Sequence, residues 1–277
     1  MLVENFGKRS SMKKRTIIRE YNLLHKGNGR TGTISLAFLT DMHNCLSEEE
    51  QKGIFSLLES AKPDVVLVGG DVLVGKKGKT IEPAYHFMNQ LAEKYKVIYA
   101  NGNHEQRVRL YPEEYGDMGE RYERLIDTTK VIRAINQAIE FEIHGIPVTV
   151  YGLEPDIRFY KKGLKPQGML EELNKVFGRK DSLRYHILLA HNPRYAKEYL
   201  SWGAELILSG HYHGGMMLLG KQRGVISPDY RLLNRDCCGI RSQDDAHVIV
   251  SAGLGEHTIP FRIHNPRELT VIRIKFI

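Results

Sequence analysis

The chain has 277 residues, 42% hydrophobic and 26% charged, an ordinary globular balance that can fill a sizeable core. A net charge of +7 and a pI near 9.2 favour anionic partners, but phosphorylated small molecules, nucleic acid and anionic lipid all satisfy that condition. No apolar run approaches the roughly 20 residues that span a bilayer. Three cysteines, two of them adjacent at Cys237 and Cys238, build no disulfide framework, so a reducing cytoplasm is the expected compartment.

In chain order, residues 1–30 form a basic segment that includes Lys8, Arg9, Lys13, Lys14, Arg15 and Arg19. No apolar h-region follows, because Thr16-Ile17-Ile18 gives way at once to Arg19-Glu20, so no signal peptide is expected. The segment reads as a solvated tail, with peripheral contact to an anionic membrane as the alternative. From residue 31 onwards, short apolar β-rich runs each end in a polar motif. Ile34–Leu39 leads into Asp41-Met42-His43, Val65–Val68 into Gly70-Asp71, and Val97–Ala100 into Gly102-Asn103-His104-Glu105. Ile187–Ala190 leads into His191-Asn192, and Leu206–Ser209 into Gly210-His211-Tyr212-His213. Continuous apolar runs of this length suit strands buried on both faces.

Helical patterns separate the runs. Ser47 and Glu50 have capping-box spacing, and Ile54, Leu57, Leu58 and Ala61 fall on one face before Pro63 stops the helix. Glu82–Tyr95, Gly168–Phe177 and Arg194–Trp202 also read as helices, while Tyr111–Asp127 is polar and acidic, an excursion or a surface helix. After His213, Val225-Ile226, His247–Ser251, Pro260–Ile263 and Leu269–Ile274 read as strands, implying a second sheet packed on the first. Alternating strands and helices mean α/β architecture, whose ligands gather beyond the carboxyl ends of the strands. All five motifs stand there.

Each motif alone is weak, since Gly-Asp is a common turn and a lone histidine is often a core residue. Together they supply two aspartates, one asparagine and four histidines, enough donors for two divalent metal ions, with His104 left over for acid–base work. Two metals about 3.5–4 Å apart form a clamp for in-line displacement at phosphorus. Cys45, two residues past His43, is assigned to packing, because the ligand set is complete without a thiolate.

The motif order from about Leu39 to His213 resembles the calcineurin-like metallophosphoesterase superfamily. Gly224–Pro228 and Gly253–Pro260 resemble a bacterial branch of predicted phosphohydrolases or phosphodiesterases whose members often carry a membrane anchor or export signal. The resemblance implies a four-layer αββα sandwich, two mixed β-sheets flanked by helices, with residues 31–277 as a single metallophosphoesterase domain. It implies one metal on Asp41, His43 and His213, a second on Asn103, His191 and His211, and Asp71 bridging both. Mixed N/O ligation favours Mn, Zn or Fe, with Co or Ni also suitable. A metal-bridging hydroxide would attack phosphorus, and His104, oriented by Asp41 or another carboxylate, would protonate the leaving alkoxide. Asp71 and His104 are thus the expected catalytic residues, and Asn103, Arg107 and His257 the expected substrate contacts.

The expected substrate is a phosphorylated small molecule or a phosphodiester, diesters slightly ahead of monoesters. A nuclease is not favoured, because Tyr111, Tyr115 and Tyr122 are interleaved with acids rather than with a basic strip. A nucleotide-sugar or lipid-linked pyrophosphate hydrolase is the alternative enzyme, though no amphipathic lid is visible. A non-catalytic scaffold would have lost ligands, and here every ligand position is filled.

Overall fold

The computed structural model describes residues 16–277 except 28, 45, 164, 179, 182, 215–217, 220–222, 227–231, 235–236, 256–261 and 263–264, with backbone alone at 218–219, 223–226 and 232–234. The chain opens with β1 (Thr16–His25) and β2 (Gly32–Leu39), then α1 (Glu48–Ala61), β3 (Val65–Val68), α2 (Glu82–Lys94) and β4 (Val97–Tyr99). Three helices follow, α3 (Asn103–Leu110), the short α4 (Pro112–Tyr115) and α5 (Met118–Asp127), and then β5 (Ile132–Arg133). The hairpin of β6 (Gln137–Ile143) and β7 (Ile146–Leu153) leads through a 3-10 turn at Ile157–Tyr160 to α6 (Met169–Phe177) and β8 (Tyr185–Ala190). A second 3-10 turn, Pro193–Tyr195, precedes α7 (Ala196–Trp202) and β9 (Leu206–Ser209). The remaining elements are strands: β10 (Leu218–Leu219), β11 (Arg223–Ile226), β12 (Leu232–Asn234), β13 (Gly239–Gln243), β14 (Ala246–Val250) and β15 (Arg267–Phe276).

Two six-stranded mixed sheets organise the molecule, ordered β1-β15-β2-β3-β4-β5 and β13-β14-β9-β8-β7-β6, with β10–β12 as a small antiparallel sheet. Side chains alternate across each strand, which fixes the layers. Leu36, Phe38, Leu67 and Ile98 of the first sheet meet Val150, Ile187, Leu189 and Leu208 of the second in a buried cluster between the sheets. Ala37, Leu39, Val66 and Val68 point the other way, onto Ile54 and Leu58 of α1 and Phe87 and Leu91 of α2. Tyr151, Leu188 and Ile207 likewise face Leu173 of α6 and Tyr199 and Trp202 of α7. The result is the expected αββα sandwich. Ser47 caps α1 with the reciprocal Glu50 bond in place, and Lys62 ends it in a left-handed conformation.

Two expectations change. The late strands do not form one sheet: β11 pairs only with β10 and β12, β14 joins the second sheet beside β9, and β15 lies inside the first between β1 and β2, while the strand expected at Pro260–Ile263 lies largely outside the described residues. Leu269 and Val271 of β15 pack toward the helices and Ile272 and Ile274 toward the second sheet, so only an interior position buries both faces. The basic segment expected over 1–30 includes β1, which pairs in parallel with β15 over ten residues, and Arg19 donates from Nε to Glu268 at 2.6 Å. Lys8, Arg9, Lys13, Lys14 and Arg15, with the rest of residues 1–15, lie outside the described residues. Among the described residues no helix is long and apolar enough to cross a membrane.

Candidate metal centre

The parallel strands β2, β3 and β4 of the first sheet and β8 and β9 of the second end on the same side, and each delivers one motif. The chain turns sharply as it leaves them. Asp41, His43, Asp71, His211 and His213 all adopt left-handed backbone conformations, with φ between 50° and 67°. Short polar residues tolerate this region best, at a cost of roughly 1–3 kcal/mol each that the surroundings must offset. Backbone bonds do so: the Asp41 N–H donates to Gly70 O and the His43 N–H to Asp71 O, both at 3.0 Å. The loops after β3 and β4 touch through glycine, because a Cβ on Gly70 would lie 2.1 Å from Gly102 N and one on Gly102 would lie 2.3 Å from Asp71 Oδ1.

Three groups of ligand atoms converge there among the described residues, two of them separate triads and the third, His43, Asp71 and His104, overlapping both. Ligand atoms of Asp41, His43 and His213 all lie within 4.8 Å of one another, as do those of Asp71, His191 and His211. His43 Nε2 is 3.1 Å from His213 Nε2, and His213 Nε2 is 3.3 Å from Asp41 Oδ1. Asp71 Oδ2 is 3.1 Å from His191 Nε2 and 3.8 Å from His43 Nε2, so it lies against both groups. The Asp41 carboxylate is fixed by the Thr40 hydroxyl at 3.0 Å and the His211 N–H at 3.1 Å. Asn103, first residue of α3, is buried, and its Oδ1 has no hydrogen-bond partner among the described residues.

These donors fit divalent cations. Two imidazole nitrogens face each other, a buried amide oxygen waits for a positive partner, and His191 donates Nδ1–H to Gly69 O at 2.8 Å, which leaves Nε2 as its ligand atom. The protonation states agree. Burial, outweighing the attraction of Asp71, pulls His43 down to about 4, so its ring is neutral near pH 7. Burial would also lower His191, but the Asp71 and Asp41 carboxylates overcome it and hold the imidazole up at about 10. Asp71 opposes its own burial through His191 and His104 and falls well below the ordinary carboxylate range. Burial leaves Asp41 raised, against the pull of His191. The proton on His191 thus occupies the electrostatic place a cation takes.

His104 stands beside the triads, with Nε2 3.8 Å from Asp71 Oδ2 and its ring 4.7 Å from that of His43. The Gly75 N–H donates to its Nδ1 at 2.8 Å. A backbone amide thus orients His104 from its Nδ1 side, while Nε2 faces the Asp71 carboxylate.

Glu105 ties the loops together. Its carboxylate accepts from the N–H groups of Asp71, Val72, Leu73 and Gly102, at 2.8–3.1 Å. Burial and then the Asp71 carboxylate push Glu105 up to about 7 against those amides, and a cation on Asp71 cancels the second of these causes. Arg107 lies one turn along α3 beside Tyr115, and among the described residues no contact brings it to the triads. His257 and Cys45 lie outside the described residues. Two residues without any motif also belong to the surroundings. Tyr160 sets its ring 5.6 Å from His211, and Glu154 accepts from Asn101 at 2.8 Å.

Residues 34–215 match the model of the calcineurin-like phosphoesterase family, a span that holds both triads. The chain belongs to this family. Several proteins resemble it at modest identity. A putative metallophosphoesterase of Caenorhabditis elegans is 27% identical over 92% of this chain and 52% of its own length. A metallophosphoesterase of Aquifex aeolicus is 26% identical over 87% of this chain and 85% of its own length. The chain thus spans about half the length of the nematode relative. The phosphopantetheinyl hydrolase of Mycobacterium tuberculosis superposes with a TM-score of 0.47 at 14% identity, over 80% of this chain and 89% of the other. The matched span contains the strand ends that carry both triads.

Proposed function

We propose that the chain hydrolyses phosphoesters at a centre of two divalent cations, with phosphodiesters preferred to phosphomonoesters. The observation that carries this reading is the position of Asp71, whose Oδ2 lies 3.1 Å from one triad's His191 and 3.8 Å from the other's His43. Asp41, His43 and His213 would hold one cation, Asn103, His191 and His211 the other, and Asp71 both. When bound, such a pair supplies Lewis acidity to phosphoryl oxygens and lowers the pKa of coordinated water towards neutrality. The mixed imidazole, carboxylate and amide donors suit Mn, Zn or Fe, with Co and Ni also accommodated.

The chain's own groups do the rest. Asp41 and Asp71 would present fixed carboxylates to the cations, because Asp41 accepts from the Thr40 hydroxyl and the His211 N–H and Asp71 accepts from the His104 N–H. His104 donates from Nε2 to a phosphoryl or leaving oxygen while Gly75 holds its other nitrogen. The N-terminus of α3, at Asn103, aims its partial positive charge at the same place. The preference for diesters rests on the tail's resemblance to the bacterial phosphodiesterase branch and on the net charge of +7. Cytoplasmic placement is proposed with it.

A substrate panel tests the reading. After reconstitution with Mn, Zn, Fe, Co or Ni, the protein should cleave bis-p-nitrophenyl phosphate faster than p-nitrophenyl phosphate. Cyclic nucleotides, single-stranded DNA and a nucleotide-sugar pyrophosphate complete the panel. Faster cleavage of the pyrophosphate than of either ester would replace the diester reading, and no metal-dependent cleavage of any member would remove the phosphoesterase reading.

A further inference from the structure

The segment Glu154–Gly163 runs alongside the metal centre and is fastened at both ends. At its start, Asn101 donates from Nδ2 to Glu154 at 2.8 Å, Arg109 pairs with the same carboxylate, and Gln106 of α3 donates to Pro155 O at 2.6 Å. At its far end the residues just after His191 take over. Asn192 Nδ2 and the Tyr195 hydroxyl both donate to Phe159 O at 3.2 Å, and Arg194 donates to the carbonyls of Lys161 and Gly163. The elements that carry Asn103, His104 and His191 therefore also hold this segment. A loop fixed in this way presents a side chain with little further ordering cost.

The side chain it presents is Tyr160. Its ring lies 5.6 Å from that of His211 and 6.3 Å from that of His191, on the flank of the second triad. The residue is half-buried, and its hydroxyl makes no hydrogen bond among the described residues. Its neighbours behave differently: the Tyr195 hydroxyl donates to Phe159 O at 3.2 Å and the Tyr199 hydroxyl to Asn192 O at 2.9 Å. A phenol with its hydroxyl not committed to the protein, beside two ligand histidines and on a braced loop, has the placing of a ligand contact.

We propose that Tyr160 is a substrate-binding residue, whose hydroxyl donates a hydrogen bond to the phosphate group bound at the metal centre and whose ring walls the ester's organic substituent. The tyrosine hydroxyl is a protonated donor at neutral pH, and a hydrogen bond to a charged acceptor corresponds to roughly 10- to 100-fold in affinity. The inference rests on the phosphoesterase reading for turnover but not for phosphate binding, and the test uses both. Wild type, Y160F and Y160L are loaded with manganese, and three quantities are measured: bound metal, inorganic phosphate affinity by calorimetry, and kinetics on bis-p-nitrophenyl phosphate.

Y160F should weaken phosphate binding and raise KM by about tenfold, with kcat within about twofold and metal content unchanged. Y160L should raise KM further. Unchanged phosphate affinity in Y160F overturns the proposal, as does a wild type that binds no phosphate. Loss of metal from Y160F to the same degree as from Y160L also overturns it, because Tyr160 would then only support His211. A wild type that binds phosphate but cleaves no ester removes the phosphoesterase reading, while the phosphate measurement still decides the role of Tyr160.

Discussion

Replacing Glu105 by glutamine changes one oxygen of a buried carboxylate to an amide nitrogen at almost constant shape. Oε1 accepts from Val72 and Leu73 and Oε2 from Asp71 and Gly102, so glutamine keeps an acceptor for only two of the four amides. The other two N–H groups then face an NH2 group in a place where Glu105 is only 3% exposed. Two stranded buried donors at about 1–3 kcal/mol each give roughly 2–6 kcal/mol. For a chain of this size that is a fall in Tm of roughly 4–20 °C. Urea unfolding of metal-loaded protein at pH 8, above the value near 7 to which Glu105 is pushed, measures it directly. Glu59 provides the control, since it pairs at the surface with Lys94 at 3.1 Å and E59Q should cost under about 0.5 kcal/mol. If E105Q is as stable as E59Q, the four-amide anchor does not hold the Asp71 loop and the reasoning fails.

Four further outcomes follow from the same geometry. His191 is held up at about 10 and His43 down at about 4, so loading the Asp71–His191–His211 triad near neutral pH displaces a proton from His191, whereas His43 carries none to displace. Calorimetric manganese titrations in buffers of different ionisation enthalpy should show about one proton released per chain, and affinity at that triad should fall about tenfold per pH unit from pH 8 to pH 6; titrations that do not depend on buffer or pH contradict this. In the metal-free protein the raised His191 stabilises the fold fully below about pH 6.5, its unfolded value, and that contribution is lost as pH rises through about 10. H104N should lower kcat by about 100- to 1000-fold on nitrophenyl and alkyl esters alike, because a hydrogen-bond donor is lost; a loss confined to alkyl esters would instead assign His104 the general-acid role. D71N should hold fewer cations than wild type and lose turnover, whereas full metal content in D71N would show that the two triads share no carboxylate.

Much of this was legible in the sequence because strand ends and motifs coincide. The apolar runs before Asp41, Asp71, Asn103, His191 and His211 are buried strands, and the Ser47–Glu50 capping box is formed. What the sequence withheld is pairing. A strand apolar on both faces announces burial but not its sheet, so β15 and β14 were indistinguishable until their neighbours were known. β7 is buried at all eight positions yet ends in no polar motif, so nothing linked it to the site. Glu105 reads as one more acid after Asn103-His104, and only the approach of the Gly70 and Gly102 loops gives it four amides to hold. Tyr160 sits between basic residues with no spacing signal, and its place depends on Asn192, Arg194 and Tyr195, more than thirty residues away.

Metal content is the most direct test of the central claim. Protein loaded with manganese and freed of excess ion should carry two cations per chain by elemental analysis, and loss of either should abolish phosphoester cleavage in step with the metal. A chain that saturates at one cation, or that cleaves the same esters after full chelation, contradicts the account.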